Sequence, residues 1–213
     1  MTRPKATADP ACPVIPVIVV DDAADAVPLA RACVAGGLDM LEITLRTPAG
    51  LESIRRIVAE VPEARVGAGT VTRPEEFAEV RAAGARFAFS PGFAGDMLSA
   101  ARDAGLEWIP GVATASEVMA AQRQGLVRLK FFPAAAAGGI AMLDALAGPF
   151  PGIRFCPTGG IDASNAADWL ARPNVFAVGG SWPAPRGLVA TRDWAGITAL
   201  CHQAASLGPP GRS

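Results

Sequence analysis

The feature that most constrains the fold of this chain is a strand–helix unit that repeats along its length. Short apolar runs with strand character begin roughly 20–26 residues apart, and Ala-rich amphipathic stretches lie between them. We predict eight strands from these runs: PVIPVIVV (13–20), MLEITL (40–45), ARVGAG (64–69), RFAFS (86–90), EWIPG (107–111), VRLKFF (127–132), IRFCPT (153–158) and VFAVGG (175–180). A repeating unit of this kind indicates parallel strands joined by crossover helices.

Eight such units in 213 residues predict a single-domain α/β protein, a (β/α)8 TIM barrel at the small end of its size range. We assign residues 13–206 to the barrel, 1–12 to an amino-terminal tail and 207–213 to a flexible carboxy-terminal tail. An open doubly wound sheet is the alternative. It usually has five or six strands and a glycine-rich first turn, whereas the first turn here reads VVDDAADA.

Composition narrows the class of function. The formal net charge is −1 with both signs interspersed, which argues against a nucleic-acid or acidic-membrane partner. No run approaches the roughly 18 apolar residues of a membrane span, and the amino terminus lacks the apolar core of a signal peptide. The four cysteines are widely spaced and form no CxxC pair, so we expect no metal site and no disulfide framework. These features favour the cytoplasm.

The chemistry of a barrel is expected at the carboxyl ends of its strands, where the strand-to-helix loops begin. The unusual residues of this sequence cluster at those positions: Arg46-Thr47, Gly69-Thr70, Ser90-Pro91-Gly92, Pro110-Gly111, Phe132-Pro133, Thr158-Gly159-Gly160 and Gly179-Gly180-Ser181. The sequence therefore predicts a functional site at this end of the barrel.

Lys130 lies within one of the apolar runs, and Lys5 is the only other lysine in the chain. Strand residues alternate between the two faces of a sheet, which turns Lys130 into the barrel. Desolvation there, together with nearby cations such as Arg46, disfavours the ammonium form. A neutral amine can attack a ketone and form a Schiff base, which arginine cannot do. The alternative is a structural ion pair with a barrel carboxylate such as Glu42.

Glu42 is the one acid that the same alternation is predicted to place inside the barrel. It is either half of a buried ion pair or a general acid–base, and imine chemistry needs such a group to move protons. His202, the single histidine, is predicted in the last helix, and the chain has no tyrosine. The sequence therefore favours Glu42 for proton transfer.

Two further groups of rim residues have the character of anion sites. TGGI (158–161) and VGGS (178–181) end the last two strands, where backbone amides of glycine-rich turns form the usual phosphate site of a barrel enzyme. Tight turn geometry alone is the alternative. Arg46 and Thr70 offer donors for a carboxylate, and the alternative for Arg46 is an ion pair with a loop that closes the rim.

With these residues in place, the sequence resembles the bacterial 2-keto-3-deoxy-6-phosphogluconate (KDPG) aldolases, class I (Schiff-base) enzymes of the Entner–Doudoroff pathway. The motifs that carry the resemblance extend from residue 13 to residue 182 in the family's order: PVIPVIVVDD, LEITLRT, VGAGTV, SPGF, IPGVAT, LKFFPA, GPFPGIRFCPTGGI and VGGSW. One loop departs from the family. Relatives read approximately FPAEANGG where this chain has FPAAAAGG, so Ala135 and Ala137 lack side-chain functions found in relatives.

The resemblance implies a homotrimer of (β/α)8 barrels that acts on a small-molecule substrate and uses no metal or other cofactor. It implies Lys130 as the imine former and Glu42 as the acid–base. It also implies binding roles at the remaining positions: Arg46 and Thr70 on the substrate carboxylate, Pro91, Phe132 and Thr158 lining the pocket, and Gly159, Gly160, Gly180 and Ser181 on the phosphate.

The expected activity is cleavage of KDPG to pyruvate and glyceraldehyde 3-phosphate through a lysine Schiff base. Three alternatives stay open from the residues. They are the same chemistry on 4-hydroxy-2-oxoglutarate or the 6-phosphogalactonate epimer, a phosphosugar isomerase or epimerase that forms no imine, and a sugar-phosphate binder without turnover. Thr158 favours the gluconate-type substrate, because a more apolar residue is expected there in the galactonate enzyme.

Overall fold

The strands follow the predicted order in the computed structural model, which describes residues 12–207. Each of the eight predicted runs contains a strand, and the fifth run is divided in two at Pro110. The strands are β1 (Val14–Ile18), β2 (Met40–Thr44), β3 (Arg65–Gly69), β4 (Phe87–Phe89), β5 (Glu107–Ile109), β6 (Gly111–Val112), β7 (Arg128–Phe131), β8 (Arg154–Pro157) and β9 (Val178–Gly180).

A helix follows each strand except β5, and two helices follow β9. A 3-10 turn (Ala23–Asp25) leads into the first helix, and the helices are α1 (Ala26–Ala35), α2 (Gly50–Glu60), α3 (Glu76–Ala82), α4 (Met97–Asp103), α5 (Ala115–Arg123), α6 (Gly139–Ala147), α7 (Ala166–Leu170), α8 (Arg186–Ala190) and α9 (Trp194–Ala205). Their sequences explain their orientation. In α2, Ile54 and Ile57 are buried whereas Arg55 and Arg56 are exposed, so the helix packs one apolar face on the barrel.

The parallel strands close into a ring. One sheet has the order β5-β4-β3-β2-β1-β9 and a second has the order β6-β7-β8. The chain joins them through Pro110, whose carbonyl accepts a hydrogen bond from the Lys130 amide (2.8 Å). On the other side, parallel bridges Phe155–Val175 and Thr158–Gly179 join the strand β8 region to the β9 region. The predicted barrel is confirmed, and the open doubly wound sheet is excluded.

Side-chain alternation divides the apolar residues of the strands between two regions. Leu41 and Ile43 of β2 belong to the large cluster between strands and helices. Phe89, Ile109 and Cys156 belong to a separate cluster that fills the inside of the barrel. Neighbouring positions along a strand face opposite ways. Glu42 lies between Leu41 and Ile43, so its side chain is turned inward, to the side of this second cluster.

The predicted tails fall mostly outside the described residues, since only Cys12 and Leu207 of the segments 1–12 and 207–213 are described. Cys12 is buried and its thiol lies 3.9 Å from the Ala204 carbonyl oxygen of α9. Leu207 is half-buried against the same large apolar cluster. Between residues 12 and 207, no helix combines the length and the apolar character needed to cross a bilayer.

The narrow interior leaves no room for a side chain at Gly67. A Cβ added at Gly67 of β3 would collide with the Phe87 ring inside the barrel. We expect Gly67→Ala to lower the free energy of unfolding by about 1–3 kcal/mol, the usual effect of overpacking a closely packed core. Urea denaturation of the purified variant measures this.

Gly187→Ala is the matched control, because a Cβ at Gly187 of α8 would meet nothing within 4 Å. Alanine there raises helix propensity, so we expect unchanged or slightly higher stability, by up to about 1 kcal/mol. Equal losses in the two variants would contradict a steric role for Gly67.

Candidate active site

Two buried ionisable side chains meet inside the barrel. Strand β7 presents Lys130 and strand β2 presents Glu42, and the Lys130 Nζ donates a hydrogen bond to Glu42 Oε1 at 3.0 Å. The two residues are 3% and 1% exposed. A charged pair so deeply buried requires each partner to compensate the desolvation of the other. The structure therefore brings together the two residues that the sequence singled out for chemistry.

Neighbouring residues leave room for the Lys130–Glu42 pair and place aromatic rings beside it. A Cβ at Gly69 would collide with the Glu42 carboxylate, so the missing side chain leaves room for that group. On the other side, Lys130 Nζ lies 5.2 Å from the Phe89 ring centre and 5.4 Å from that of Phe132, within the range of cation–π attraction. The predicted pocket residue Phe132 thus contacts the amine.

Cys156 is a neighbour of the pair that the sequence interpretation did not include. It is the register partner of Lys130 on β8 and is 1% exposed. Burial, partly offset by the nearby Lys130 charge, raises the pKa of the Cys156 thiol to about 12. The thiol is therefore neutral near pH 7. Alternation within IRFCPT is the signal that would have placed this residue inside.

The loop that contains Pro91 is held by a buried indole. Trp108 Nε1 donates to Ser90 Oγ (2.9 Å), and that hydroxyl in turn donates to the Gly92 carbonyl (2.6 Å). The Phe93 ring stacks on the same indole, with ring centres 5.6 Å apart. These contacts hold the predicted pocket residue Pro91 between two anchored neighbours. Trp108 carries no sequence signal of this role, because it faces the helices.

The same loop lies directly against the strand beside the amine. A Cβ at Gly111 would collide with the Pro91 carbonyl, and Gly111 is the register partner of Lys130. Close approach of two backbones is a common reason for glycine in a strand. Pro91 is thereby placed one strand away from Lys130.

Arg46 and Thr70 meet at the rim. Arg46 Nε donates a hydrogen bond to Thr70 Oγ1 at 3.1 Å, and Arg46 is exposed. Thr70 has a left-handed backbone (φ 61°), which few non-glycine residues adopt. Such conformations persist where the surrounding structure enforces them, often near binding sites. The two predicted carboxylate donors are therefore adjacent.

The first glycine turn is locked to the loop that follows Lys130. The amide of Ala134 donates to the Thr158 carbonyl (2.8 Å) and that of Ala135 to the Gly159 carbonyl (3.0 Å). Gly159 and Gly160 have φ values of 99° and 75°, which side chains rarely tolerate. Turn geometry thus accounts for these glycines by itself, and a phosphate role stays compatible with it.

The second glycine turn lies beside the first. Thr158 bridges to Gly179, and a Cβ at Gly179 would collide with the Thr158 hydroxyl. A Cβ at Gly180 would collide with the Trp182 ring, so that ring packs directly over the turn. Ser181 follows immediately and is exposed. The predicted phosphate-binding residues therefore lie close together at the carboxyl ends of β8 and β9.

One prediction about the barrel interior was wrong. Glu42 was expected to be the one acid inside, yet Glu107 of β5 also faces inward and its Oε1 accepts a hydrogen bond from Arg128 Nη1 (3.0 Å). The Arg128 guanidinium lies 4.2 Å from the centre of the Phe176 ring in the interior cluster. Glu107 and Arg128 are the first residues of their strands. They therefore lie at the amino end of the barrel, away from the rim.

The single histidine lies away from the barrel interior. His202 is exposed on α9, on the outside of the barrel. In the described part of the chain, no group of three or more His, Cys, Asp or Glu side chains is arranged to hold a metal ion.

Comparison with known proteins places the chain in a family. Residues 9–200 match the model of the family "KDPG and KHG aldolase". The chain is 53% identical to the 2-dehydro-3-deoxy-phosphogluconate aldolase of Dickeya dadantii, over 90% of both chains. It is 50% identical to the KHG/KDPG aldolase of Escherichia coli K12, again over 90% of both.

Solved structures give the same result. The KDPG aldolase of Legionella pneumophila, with pyruvate captured at low pH as a covalent carbinolamine intermediate, superposes with a TM-score of 0.89. It shares 47% identity, and the match covers 93% of this chain and 95% of that one. The resemblance seen in the motifs is confirmed: this chain belongs to the KDPG and KHG aldolase family.

Proposed function

We propose that this chain is a class I aldolase that cleaves 2-keto-3-deoxy-6-phosphogluconate to pyruvate and glyceraldehyde 3-phosphate through a Schiff base on Lys130. The observation that carries the proposal is the 3.0 Å contact between Lys130 Nζ and Glu42 in a buried site. An amine and a carboxylate at hydrogen-bond distance form a nucleophile and its base. The family membership of the chain supports the same reaction.

Imine formation begins with a proton transfer. Glu42 takes a proton from the Lys130 ammonium, and the neutral amine attacks C2 of the keto acid. The nitrogen of the adduct passes a proton to the former ketone oxygen, giving a carbinolamine. The protonated Glu42 then donates its proton to the carbinolamine hydroxyl, which leaves as water. The products of this stage are a protonated imine on Lys130 and a Glu42 carboxylate.

Carbon–carbon cleavage uses the same two groups. Glu42 removes the C4 hydroxyl proton, the C3–C4 bond breaks, and its electron pair enters the protonated imine to form an enamine. Glyceraldehyde 3-phosphate departs as the aldehyde. Glu42 returns the proton to C3 of the enamine, and water hydrolyses the resulting imine to release pyruvate and regenerate Lys130.

The rim residues hold the two charged ends of the substrate in this proposal. Arg46 and Thr70 bind the carboxylate, and Thr158 contacts the hydroxyl-bearing chain between the two charged ends. Pro91 and Phe132 line the pocket beside the amine, and Gly159, Gly160, Gly180 and Ser181 bind the phosphate. A homotrimer, which the resemblance to the family implies, and a cytoplasmic location, which the composition favours, stay predictions.

Cleavage of 4-hydroxy-2-oxoglutarate is a second candidate activity. KHG stands for 2-keto-4-hydroxyglutarate, which is the same compound. The name of the matching family and that of the Escherichia coli relative both include it. Lysine and glutamate would act in the same way on this substrate. It has a carboxylate instead of a phosphate, however, so the phosphate contacts of the two glycine turns would be lost.

Chemical trapping tests the role of Lys130. We expect borohydride reduction in the presence of pyruvate to attach the pyruvate carbons to Lys130, as located by peptide mass spectrometry. Lys130→Arg, which keeps a cation opposite Glu42, should lose essentially all pyruvate release in a lactate dehydrogenase-coupled assay, because arginine forms no imine. Turnover that survives in Lys130→Arg would instead support an isomerase or epimerase, and binding without turnover in the wild type would support a sugar-phosphate binder.

Replacement of Glu42 tests the proton-transfer steps. Glu42→Gln preserves size and a hydrogen-bond acceptor for Lys130, and we expect it to lower kcat about 10²–10⁴-fold, as loss of a general acid–base does. Circular dichroism should show a folded protein. A kcat within about twofold of the wild-type value in a folded variant would restrict Glu42 to structural pairing.

Substrate comparison separates the two candidate activities. We expect kcat/KM for 4-hydroxy-2-oxoglutarate to be lower than for KDPG by about tenfold or more, because the phosphate contacts are lost. The same coupled assay measures both. Equal kcat/KM values for the two substrates would show that phosphate binding does not contribute to substrate specificity.

A further inference from the structure

Ion pairs join the first and the last strand-to-helix loops at the carboxyl end of the barrel. Arg186 donates two hydrogen bonds to Asp21, from Nε to Oδ2 at 2.7 Å and from Nη2 to Oδ1 at 2.6 Å. Two parallel bonds of this kind are the strongest geometry of a guanidinium with a carboxylate. The residues are 165 positions apart in sequence, and they meet because β1 pairs with β9.

A second arginine reinforces the same junction. Arg192 Nε donates to Asp25 Oδ1 at 2.7 Å, and its Nη2 lies 4.0 Å from Asp22 Oδ2. The first loop therefore presents three carboxylates (Asp21, Asp22 and Asp25) to one guanidinium at the start of α8 and one just after its end. One negative charge of this group is left unbalanced.

The proposed phosphate-binding turn belongs to the same loop as Arg186. Gly180 ends β9, its register partner on β1 is Pro16, and Ser181 follows it. The Ala184 amide donates back to the Ser181 carbonyl at 3.2 Å, which makes a tight turn that leads directly into Arg186, the first residue of α8. The acidic first loop is thus adjacent to the proposed phosphate-binding turn.

This arrangement creates an electrostatic problem for a phosphate. A phosphate monoester carries nearly two negative charges near pH 7, and carboxylates within about one Debye length (~8 Å at physiological salt) repel it. The hydrogen bonds from Arg186 lower the pKa of Asp21, so this carboxylate stays charged well below neutral pH. Without a cation at this place, the first loop would oppose substrate binding.

The exposure of the Arg186–Asp21 ion pair allows Arg186 to exchange one anionic partner for another. The side chains of Arg186 and Asp21 are 65% and 49% exposed, so their contact contributes little to folding stability. A guanidinium binds a phosphate with the same two-pronged geometry as a carboxylate. Arg186 can therefore turn from Asp21 towards an arriving phosphate without disturbing buried structure.

We propose that Arg186 is a specificity-determining residue that screens the carboxylates of the first loop and attracts the phosphate end of the substrate, with Asp21 as the competing partner that holds it when the phosphate is absent. The inference rests on the proposed function, because it assigns a preference for a phosphorylated aldehyde over an unphosphorylated one. It concerns only the aldehyde half of the substrate. The pyruvate half binds at Lys130, in the interior.

Two substitutions with opposite expected effects test the proposal. We expect Arg186→Ala to raise the KM for KDPG about three- to tenfold, the size of one partly screened charge contact, with a smaller change in kcat. Asp21→Asn frees the guanidinium and should leave this KM equal to or below the wild-type value. Raising the ionic strength should increase KM more steeply in the wild type than in Arg186→Ala.

Hydrogen–deuterium exchange at C3 of pyruvate, followed by NMR, supplies the readout that needs no phosphate. We expect the KM for pyruvate in this exchange reaction to change by less than about twofold in Arg186→Ala, because pyruvate reaches only the imine site. Arg56→Ala is the matched control, since Arg56 forms an exposed ion pair with Glu52 on α2 (2.9 Å). This control should leave both KM values unchanged.

Each contrary result has a distinct meaning. If Arg186→Ala and Asp21→Asn raise the KM for KDPG alike, or if both disturb pyruvate exchange, the pair is a structural clamp and the proposal is wrong. An unchanged KM in Arg186→Ala, with a wild type that cleaves KDPG, overturns the inference and leaves the proposed function intact. A wild type that neither cleaves KDPG nor exchanges pyruvate overturns both.

Discussion

The buried contact between Lys130 and Glu42 is the interaction on which the rest of the structure depends. A lone ammonium or carboxylate in an apolar interior is strongly unfavourable, so each group is tolerated only with the other at hydrogen-bond distance. The barrel meets this demand by placing β7 and β2 around one interior and by omitting a side chain at Gly69. The rings of Phe89 and Phe132 border the amine. A tight, dry pair of this kind is also what proton transfer to a bound keto acid requires.

Charge is distributed along the barrel axis in a way that separates stability from chemistry. At the amino end, Glu107 and Arg128 form a second inward ion pair beneath the Phe176 ring. Towards the carboxyl end lies the Lys130–Glu42 pair, and Cys156 beside it stays a neutral thiol. At the rim, the Arg186–Asp21 ion pair is exposed, and water screens it and allows it to change partners. The interior therefore fixes the reacting groups while the rim can adapt to the substrate.

Much of the fold could be predicted because its information is local. The interval between apolar runs indicated parallel strands, and the alternation within LEITL and VRLKFF assigned Lys130 and Glu42 to the interior. The same rule, applied to EWIPG, would have placed Glu107 inside. The run is short and is broken at Pro110, so it offers few consecutive positions from which an alternation can be recognised. Cys156 is an uncharged residue within an apolar run, so its inward position gives no chemical signal in the sequence.

By itself the sequence determined which residues face inward and that eight parallel strands form a barrel, because both follow from periodicities within short segments. Only the tertiary structure decided which of those residues meet. Glu42 and Lys130 are 88 positions apart, Trp108 reaches Ser90 from a different strand, and Arg186 finds Asp21 across the seam between the last strand and the first. Such contacts depend on the stagger and closure of the ring, which fix how far each strand extends relative to its neighbours. No local sequence pattern specifies this stagger of the strands.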